Sequence, residues 1–130
     1  MGVMYSLPSY NYNELQNKVR LKNDDIVLIN TMNLSKQECL IKGTIKASNE
    51  EEIINKLLKT NKNKEIIIYG IHHTDLTVIK KYNQLKKLGF KNVHIYFGGM
   101  FEWLLLQDVF DVTNFQTDGN IRNIVEYKIE

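Results

Sequence analysis

The chain has little of what staples, breaks or strongly charges a small protein. Its 130 residues include one cysteine (Cys39), one proline (Pro8), one tryptophan (Trp103) and two arginines (Arg20 and Arg122). A lone cysteine excludes an internal disulfide. With Pro8 near the start and no internal repeat, no linker divides the sequence. One domain over 1–130 is expected, with a core over about 10–110 and a C-terminal extension over 111–130. Arginine is the usual bidentate partner of phosphate, so its scarcity argues against an anion reader. Seventeen basic against fifteen acidic residues, a formal charge of +2, is too balanced to suggest a nucleic-acid partner. The longest apolar runs, such as Trp103–Leu106, fall far short of the roughly 20 residues a bilayer span requires. No cleavable signal is visible, and an intracellular, cytoplasmic protein is expected. The opening Met1-Gly2-Val3-Met4-Tyr5-Ser6 fits the loose myristoylation pattern, which arises often by chance.

What is present is core material: 43% of the side chains are apolar, enough for one proper core. Residues 12–20 read as a short helix, and Asp24-Asp25 then turn the chain. Ile26-Val27-Leu28-Ile29 suits a strand buried on both faces. Leu40–Ile45 adds a candidate short strand. Ser48 and Glu51 have capping-box spacing, opening a helix that carries Ile53, Ile54, Leu57 and Leu58 on one side. Glu65–Tyr69 is the clearest buried strand, followed by a loop from Gly70 to Asp75. Leu76, Ile79, Tyr82, Leu85 and Leu88 then recur at helical spacing up to Gly89, the expected C-terminal cap. Val93–Phe97 gives another strand, Gly98-Gly99 a turn, and Met100–Leu106 an apolar helix. Ile124–Ile129 is a candidate terminal edge strand. Strands alternating with helices predict an α/β domain with a central, mostly parallel sheet of about five strands, flanked by helices on both faces.

From Ile66 to Trp103 the residues resemble a rhodanese-like domain. The strand Ile66–Tyr69, the six-residue loop, the helix running into Leu88-Gly89-Phe90 and the piece Gly98-Gly99-Met100-Phe101-Glu102-Trp103 follow that family's order. The last is similar to its Gly-Gly-x-x-x-Trp signature. Upstream, Asp25–Thr31 is similar to the family's Ile-Asp-Val-Arg strand, and Leu40–Ile45 to its His-Ile-x-Gly-Ala-Ile segment. The resemblance spans about 10–110.

In active members, the resemblance implies, the loop opens with a nucleophilic cysteine and closes with arginine, and its N–H groups cradle an anion. Here Gly70 stands at the cysteine position and Asp75 at the arginine position, with Ile71, His72, His73 and Thr74 between. The family's Asp is Asn30, its Arg falls near Met32 and its His is Leu40. A persulfide mechanism needs a thiolate stabilised by N–H dipoles and a cation, and glycine carries no sulfur. Asp75 puts negative charge where the family puts positive, so a neutral or cationic group suits the loop better. Sulfur transfer by the family's mechanism, and the related phosphatase chemistry, are expected to be absent.

Other constellations carry less. Cys39 has Glu38 beside it, which raises rather than lowers a thiol pKa, and reads as a small core residue. His72 and His73 adjoin in a tight loop and do not by themselves make a metal site. His94, in a strand, reads as structural. Lys80, Lys81, Lys86, Lys87 and Lys91 make a basic face without the aromatic platforms that RNA stacking requires. Phe101, Trp103 and Leu104 lie on a helix more apolar than one buried face needs. They are either core, covered by Phe110, Phe115 and the tail, or a candidate interaction surface.

The expectation is a non-catalytic rhodanese-like module without cofactor or metal, meeting another protein through the vestigial loop Gly70–Asp75 or the Trp103 helix, and able to self-associate. The alternative is an enzyme, either a sulfurtransferase relying on Cys39 or a different chemistry at His72, His73 and Asp75.

Overall fold

A computed structural model describes residues 7–21, 25–120 and 123–128. In chain order the elements are α1 (Tyr12–Arg20), β1 (Ile26–Asn30), β2 (Cys39–Ile41), α2 (Ala47–Thr60), β3 (Glu65–Tyr69), α3 (Thr77–Leu88), β4 (Val93–Tyr96), α4 (Gly99–Val109) and β5 (Thr117–Gly119). Short 3₁₀ turns cover Leu34–Lys36 and Ile124–Tyr127. Gly2 of the acylation pattern, Asp24 of the expected turn, Arg122 and Ile129 lie outside the described residues.

The three continuous apolar runs pair as predicted. β1, β3 and β4 form a parallel sheet in the order β1-β3-β4, with Leu28 opposite Ile67 and Ile68 opposite Ile95. Single parallel bridges, Leu28 to Thr44 and Ser9 to Ile95, add one backbone segment at each edge. Strands with apolar residues at nearly every position must be covered on both faces, and they are. Leu28, Ile67, Tyr69 and Tyr96 point to one side and pack with α1 through Leu15 and Val19, and with α4 through Met100, Trp103 and Leu104. Val27, Ile29, Ile66, Ile68 and Ile95 point to the other side and pack with Ile54 of α2 and with Val78, Tyr82 and Leu85 of α3.

Several local expectations are corrected. The capping box belongs to α1: Asn11 Oδ1 accepts from Glu14 N at 2.9 Å and Glu14 Oε1 accepts from Asn11 N at 3.1 Å. Ser48 and Glu51 form none, because α2 starts two residues earlier than a Ser48 cap requires, with Lys46 at the N-cap and no side-chain cap. Ile45 N donates to Leu28 O at 3.0 Å and anchors the chain on β1, and Asn49 N donates to Lys46 O at 2.9 Å, so the turn opens from Lys46. On α3 the buried stripe is Val78, Tyr82 and Leu85, while Leu76 and Leu88 are exposed. Gly89, at φ +106°, ends α3 as expected, its N–H reaching Leu85 O and Lys86 O.

The strand expected over Leu40–Ile45 shortens to β2 and leaves the parallel sheet, pairing antiparallel with β5. Gly43, at φ +89°, turns the chain after it, its N–H held by Asp118 Oδ2 at 2.8 Å. The terminal edge strand expected at Ile124–Ile129 does not form, since Ile124–Tyr127 is a 3₁₀ turn. Tyr127 is fully buried in the α1/α4 core, and its hydroxyl donates to Lys36 O at 3.3 Å. Burying that ring outweighs strand pairing. Among the described residues no helix is long and apolar enough to cross a membrane.

Candidate functional site

Parallel strands of an α/β sheet deliver their loops to one end, outside the strands' carboxyl ends, where such folds place ligands. Here β3 delivers Gly70–Leu76. Two loop carbonyls seat the loop on α4: Gly70 O accepts from Met100 N at 2.9 Å and Ile71 O from Phe101 N at 2.8 Å. They use N–H groups of the first turn of α4 that would otherwise lack a partner. Gly99 permits the approach, because a Cβ there would lie 2.8 Å from Gly70 O and 2.9 Å from His72 N. Beside it, the Glu102 carboxylate folds over Gly98 and accepts the Tyr96 hydroxyl at 2.6 Å. Gly99 therefore fits the helix to the loop, and Gly98 leaves room for Glu102.

Asp75 organises the loop from its other end. Its Oδ2 accepts from Ile71 N at 3.1 Å, and its Oδ1 accepts from Thr77 N at 3.0 Å and from the Thr77 hydroxyl at 2.6 Å. Burial pushes this carboxyl up, but the Thr77 and Ile71 hydrogen bonds, with His72 nearby, outweigh it and hold the group below the usual carboxylate range. Both oxygens accept from donors of the loop and the helix start, and these bonds keep the group an anion at the end of the loop. The carboxylate also fills the space beside Gly70, where a Cβ would lie 2.5 Å from Oδ2 and 3.0 Å from Cγ.

His72 is half-buried, with Nδ1 2.9 Å from Thr74 Oγ1, whereas His73 and Thr74 are exposed. Among the described residues no group of three or more His, Cys, Asp or Glu side chains is placed to hold a metal ion. A cleft of about 250 Å³ opens beside the loop, lined by Thr31, Asn33, Lys36, His72, Asp75 and Thr77 among others. Thr31 and Thr77 share a hydroxyl hydrogen bond of 2.7 Å across it. Of the positions the resemblance aligns with the family's Asp, Arg and His, only Met32 reaches the cleft wall. Asn30 is buried with Oδ1 accepting from Met32 N at 3.0 Å, and Met32 and Leu40 are buried in the core.

Sequence reasoning missed Thr31, Thr77 and Lys36. Asp75-Leu76-Thr77 before a helix is a readable Asx turn, with Asp75 Oδ1 accepting from Thr77 N, so Thr77 had a signal. Lys36 had none: the 3₁₀ turn brings it in, its Nζ 3.9 Å from Glu126 Oε1 and 5.6 Å over the Tyr127 ring.

The other candidates are core or solvated. Trp103 and Leu104 are buried, so the interaction surface proposed for them is corrected, and only Phe101 is partly exposed. Trp103 Nε1 donates to Gln116 O at 3.0 Å, and its ring meets Phe115 edge-on at 5.1 Å. The segment after α4 covers it, although Phe110 itself stays exposed. Cys39 is fully buried in β2, away from the loop. Of the basic face, Lys81 pairs with Glu50 at 2.7 Å, while Lys80, Lys86, Lys87 and Lys91 are exposed.

Comparison with solved structures gives one fold at low identity. The chain is similar to the BH2092 protein from Bacillus halodurans, at 18% identity and a TM-score of 0.67 over 90% of this chain and 80% of that one. It is similar to the Alr3790 protein from Anabaena sp., at 18% identity and a TM-score of 0.63 over 90% and 97%. Thiosulfate sulfurtransferase from Pseudomonas aeruginosa matches at 17% identity and a TM-score of 0.65, over 92% of this chain but 22% of that one. No curated protein matches in sequence. The family defined as the rhodanese-like domain matches residues 11–106. With that match over most of its length, the chain belongs to the rhodanese-like domain family.

Proposed function

We propose that this rhodanese-like domain is catalytically inactive and serves as a protein-interaction or regulatory module. One observation carries the reading: the Asp75 carboxylate fills the space a side chain on Gly70 would occupy. The resemblance aligns position 70 with the nucleophile and position 75 with the cation that stabilises it. Glycine supplies no sulfur, and a carboxylate at that point repels thiosulfate, a persulfide and phosphate alike. The buried thiol of Cys39 is no substitute, since β2 keeps it from solvent.

Support for binding comes from what surrounds the loop. His73, Thr74 and Leu76 are exposed on it, and Leu34 is exposed next to Asn33, which lines the same cleft. Exposed apolar side chains beside a polar cleft offer contact area to a protein partner. The partner is taken to be a protein rather than nucleic acid.

The test has two arms. Purified protein is assayed for thiosulfate:cyanide sulfur transfer, where turnover above a protein-free control rejects the inactive reading. Immobilised wild type and a Leu34→Ala/Leu76→Ala variant are then compared for proteins captured from lysate. A specific partner retained by wild type and lost by the variant supports a loop-side interface.

A further inference from the structure

Away from the loop, the segment Leu7–Tyr10 lies along the outer edge of β4. Ile95 N donates to Pro8 O at 3.0 Å, and Tyr10 N donates to Ile95 O at 3.0 Å. Tyr10 then lays its ring on His94, with centroids 4.3 Å apart and planes 11° from parallel. The Tyr10 hydroxyl donates to Glu65, whose other oxygen takes Lys18 Nζ at 3.0 Å. The same Nζ stands 5.0 Å over the Tyr10 ring. Two backbone hydrogen bonds, the packing of Leu7 against the core under α2 and α3, and one tyrosine hold this edge segment, and the tyrosine rests on an imidazole.

That imidazole has an unusual environment. His94 Nδ1 is buried and has no hydrogen-bond partner among the described residues. A lone pair tolerates such a site better than an N–H does, so the ring suits the neutral form. Protonation would bury a charged N–H donor without an acceptor, the costly side of hydrogen-bond energetics. The charged groups facing the ring are Glu65 from β3 and Glu14 and Lys18 from α1, with the Tyr10 hydroxyl above. Burial is the largest influence and lowers the His94 pKa. Glu65 and Glu14 oppose it and Lys18 adds to it, and the net result lies below the ordinary histidine value.

We propose that Leu7–Tyr10 is a pH-sensitive latch on the outer edge of β4, closed while His94 is neutral and released when its imidazole takes up a proton. When Tyr10 lifts away, water reaches the ring, and the open state binds the proton more readily than the closed one. Latch stability is then complete above the open-state value, near the ordinary 6.5. It falls as pH drops through that value toward the closed-state one. Release frees the N–H and C=O of Ile95, exposing a length of unpaired sheet edge.

Amide hydrogen exchange on the full chain reads the latch directly. Protection factors at Tyr10 and Ile95 are expected to fall about fivefold between about pH 7.5 and about pH 5.5. Ile67 and Ile68 in the central strand should hold theirs. In His94→Phe, which keeps a stacking ring but cannot titrate, Tyr10 and Ile95 should stay equally protected at both values. Three results overturn the proposal: no loss in wild type, a parallel loss at all four amides, or the same loss in His94→Phe. Should that variant not fold, an NMR titration of the wild-type His94 ring decides. A midpoint below the ordinary histidine value that coincides with the loss of protection supports the latch. A midpoint at or above the ordinary value overturns it.

Discussion

The Asp75 carboxylate and the absent side chain of Gly70 compete for one space, with a Cβ at position 70 falling 2.5 Å from Asp75 Oδ2 and 3.0 Å from Val78 Cγ1. The two residues are therefore a matched pair. Gly70 leaves the room, and Asp75 uses it to tie Ile71 N and the start of α3 together.

The pair should show as coupling. Gly70→Ala is expected to destabilise the fold by about 1–3 kcal/mol, because real Cβ atoms do not sit that close to a held carboxylate. Asp75→Ala should cost about 1–2 kcal/mol through the lost Thr77 hydrogen bonds and the stranded Ile71 N–H. Combined, the two should cost less than their sum by about 1 kcal/mol, since the alanine at 75 vacates the space. Urea unfolding of the four proteins measures this, and strict additivity would show that the residues do not compete.

Asp75 should also mark the acid limb of stability. Its folded-state pKa is depressed, so its contribution is complete above the unfolded carboxylate value and is lost as pH falls through the folded one. Glu65 shares that limb: burial raises it, but hydrogen bonds from Tyr10 and Lys18 outweigh burial and depress it. Thermal melting of wild type and Asp75→Asn between about pH 5 and about pH 2.5 should converge at the acid end, where both side chains are neutral. A gap that persists unchanged would assign the difference to shape rather than charge.

The sequence made the sheet legible and the edges not. Ile26–Ile29, Glu65–Tyr69 and Val93–Tyr96 are apolar enough that only a doubly covered sheet can hold them, and local reading suffices. Ser48 and Ile124 failed for a tertiary reason, the anchoring of Ile45 on β1 in one case and the burial of Tyr127 in the other. At the site, the resemblance picked out Gly70 and Asp75 as departures. Their sharing of one space was invisible, because no sequence pattern shows the Asp75 carboxylate turning back onto Ile71 N. Lys36 reaches the cleft through a short turn whose residues carry no pattern of their own.

Trp103 offers a direct check of the α4 packing. The one tryptophan is fully buried between Tyr96 and Phe115 with its N–H on Gln116 O. Its emission should be blue-shifted and resist iodide quenching in the folded protein, and should shift red on unfolding. Trp103→Phe should lose about 1–3 kcal/mol from the vacated volume and the unmet carbonyl. Strong iodide quenching of native emission would instead return Trp103 to the surface.

Installing a thiol tests why the loop departs from the family pattern. Gly70→Cys puts a sulfur against the Asp75 carboxylate, and a neighbouring negative charge disfavours the thiolate. The new thiol should titrate above the ordinary cysteine value of about 8.5, and its alkylation by iodoacetamide should be slow at neutral pH. Removing the charge in Gly70→Cys/Asp75→Ala should bring the titration down and speed alkylation by about tenfold, the ratio expected for a shift of about one unit. Cys39 gives a low background because β2 buries it. Neither variant should transfer sulfur efficiently, since position 75 still lacks a cation to stabilise the persulfide. Fast alkylation of Gly70→Cys alone would mean that Asp75 swings clear of the loop, and that its carboxylate does not guard position 70.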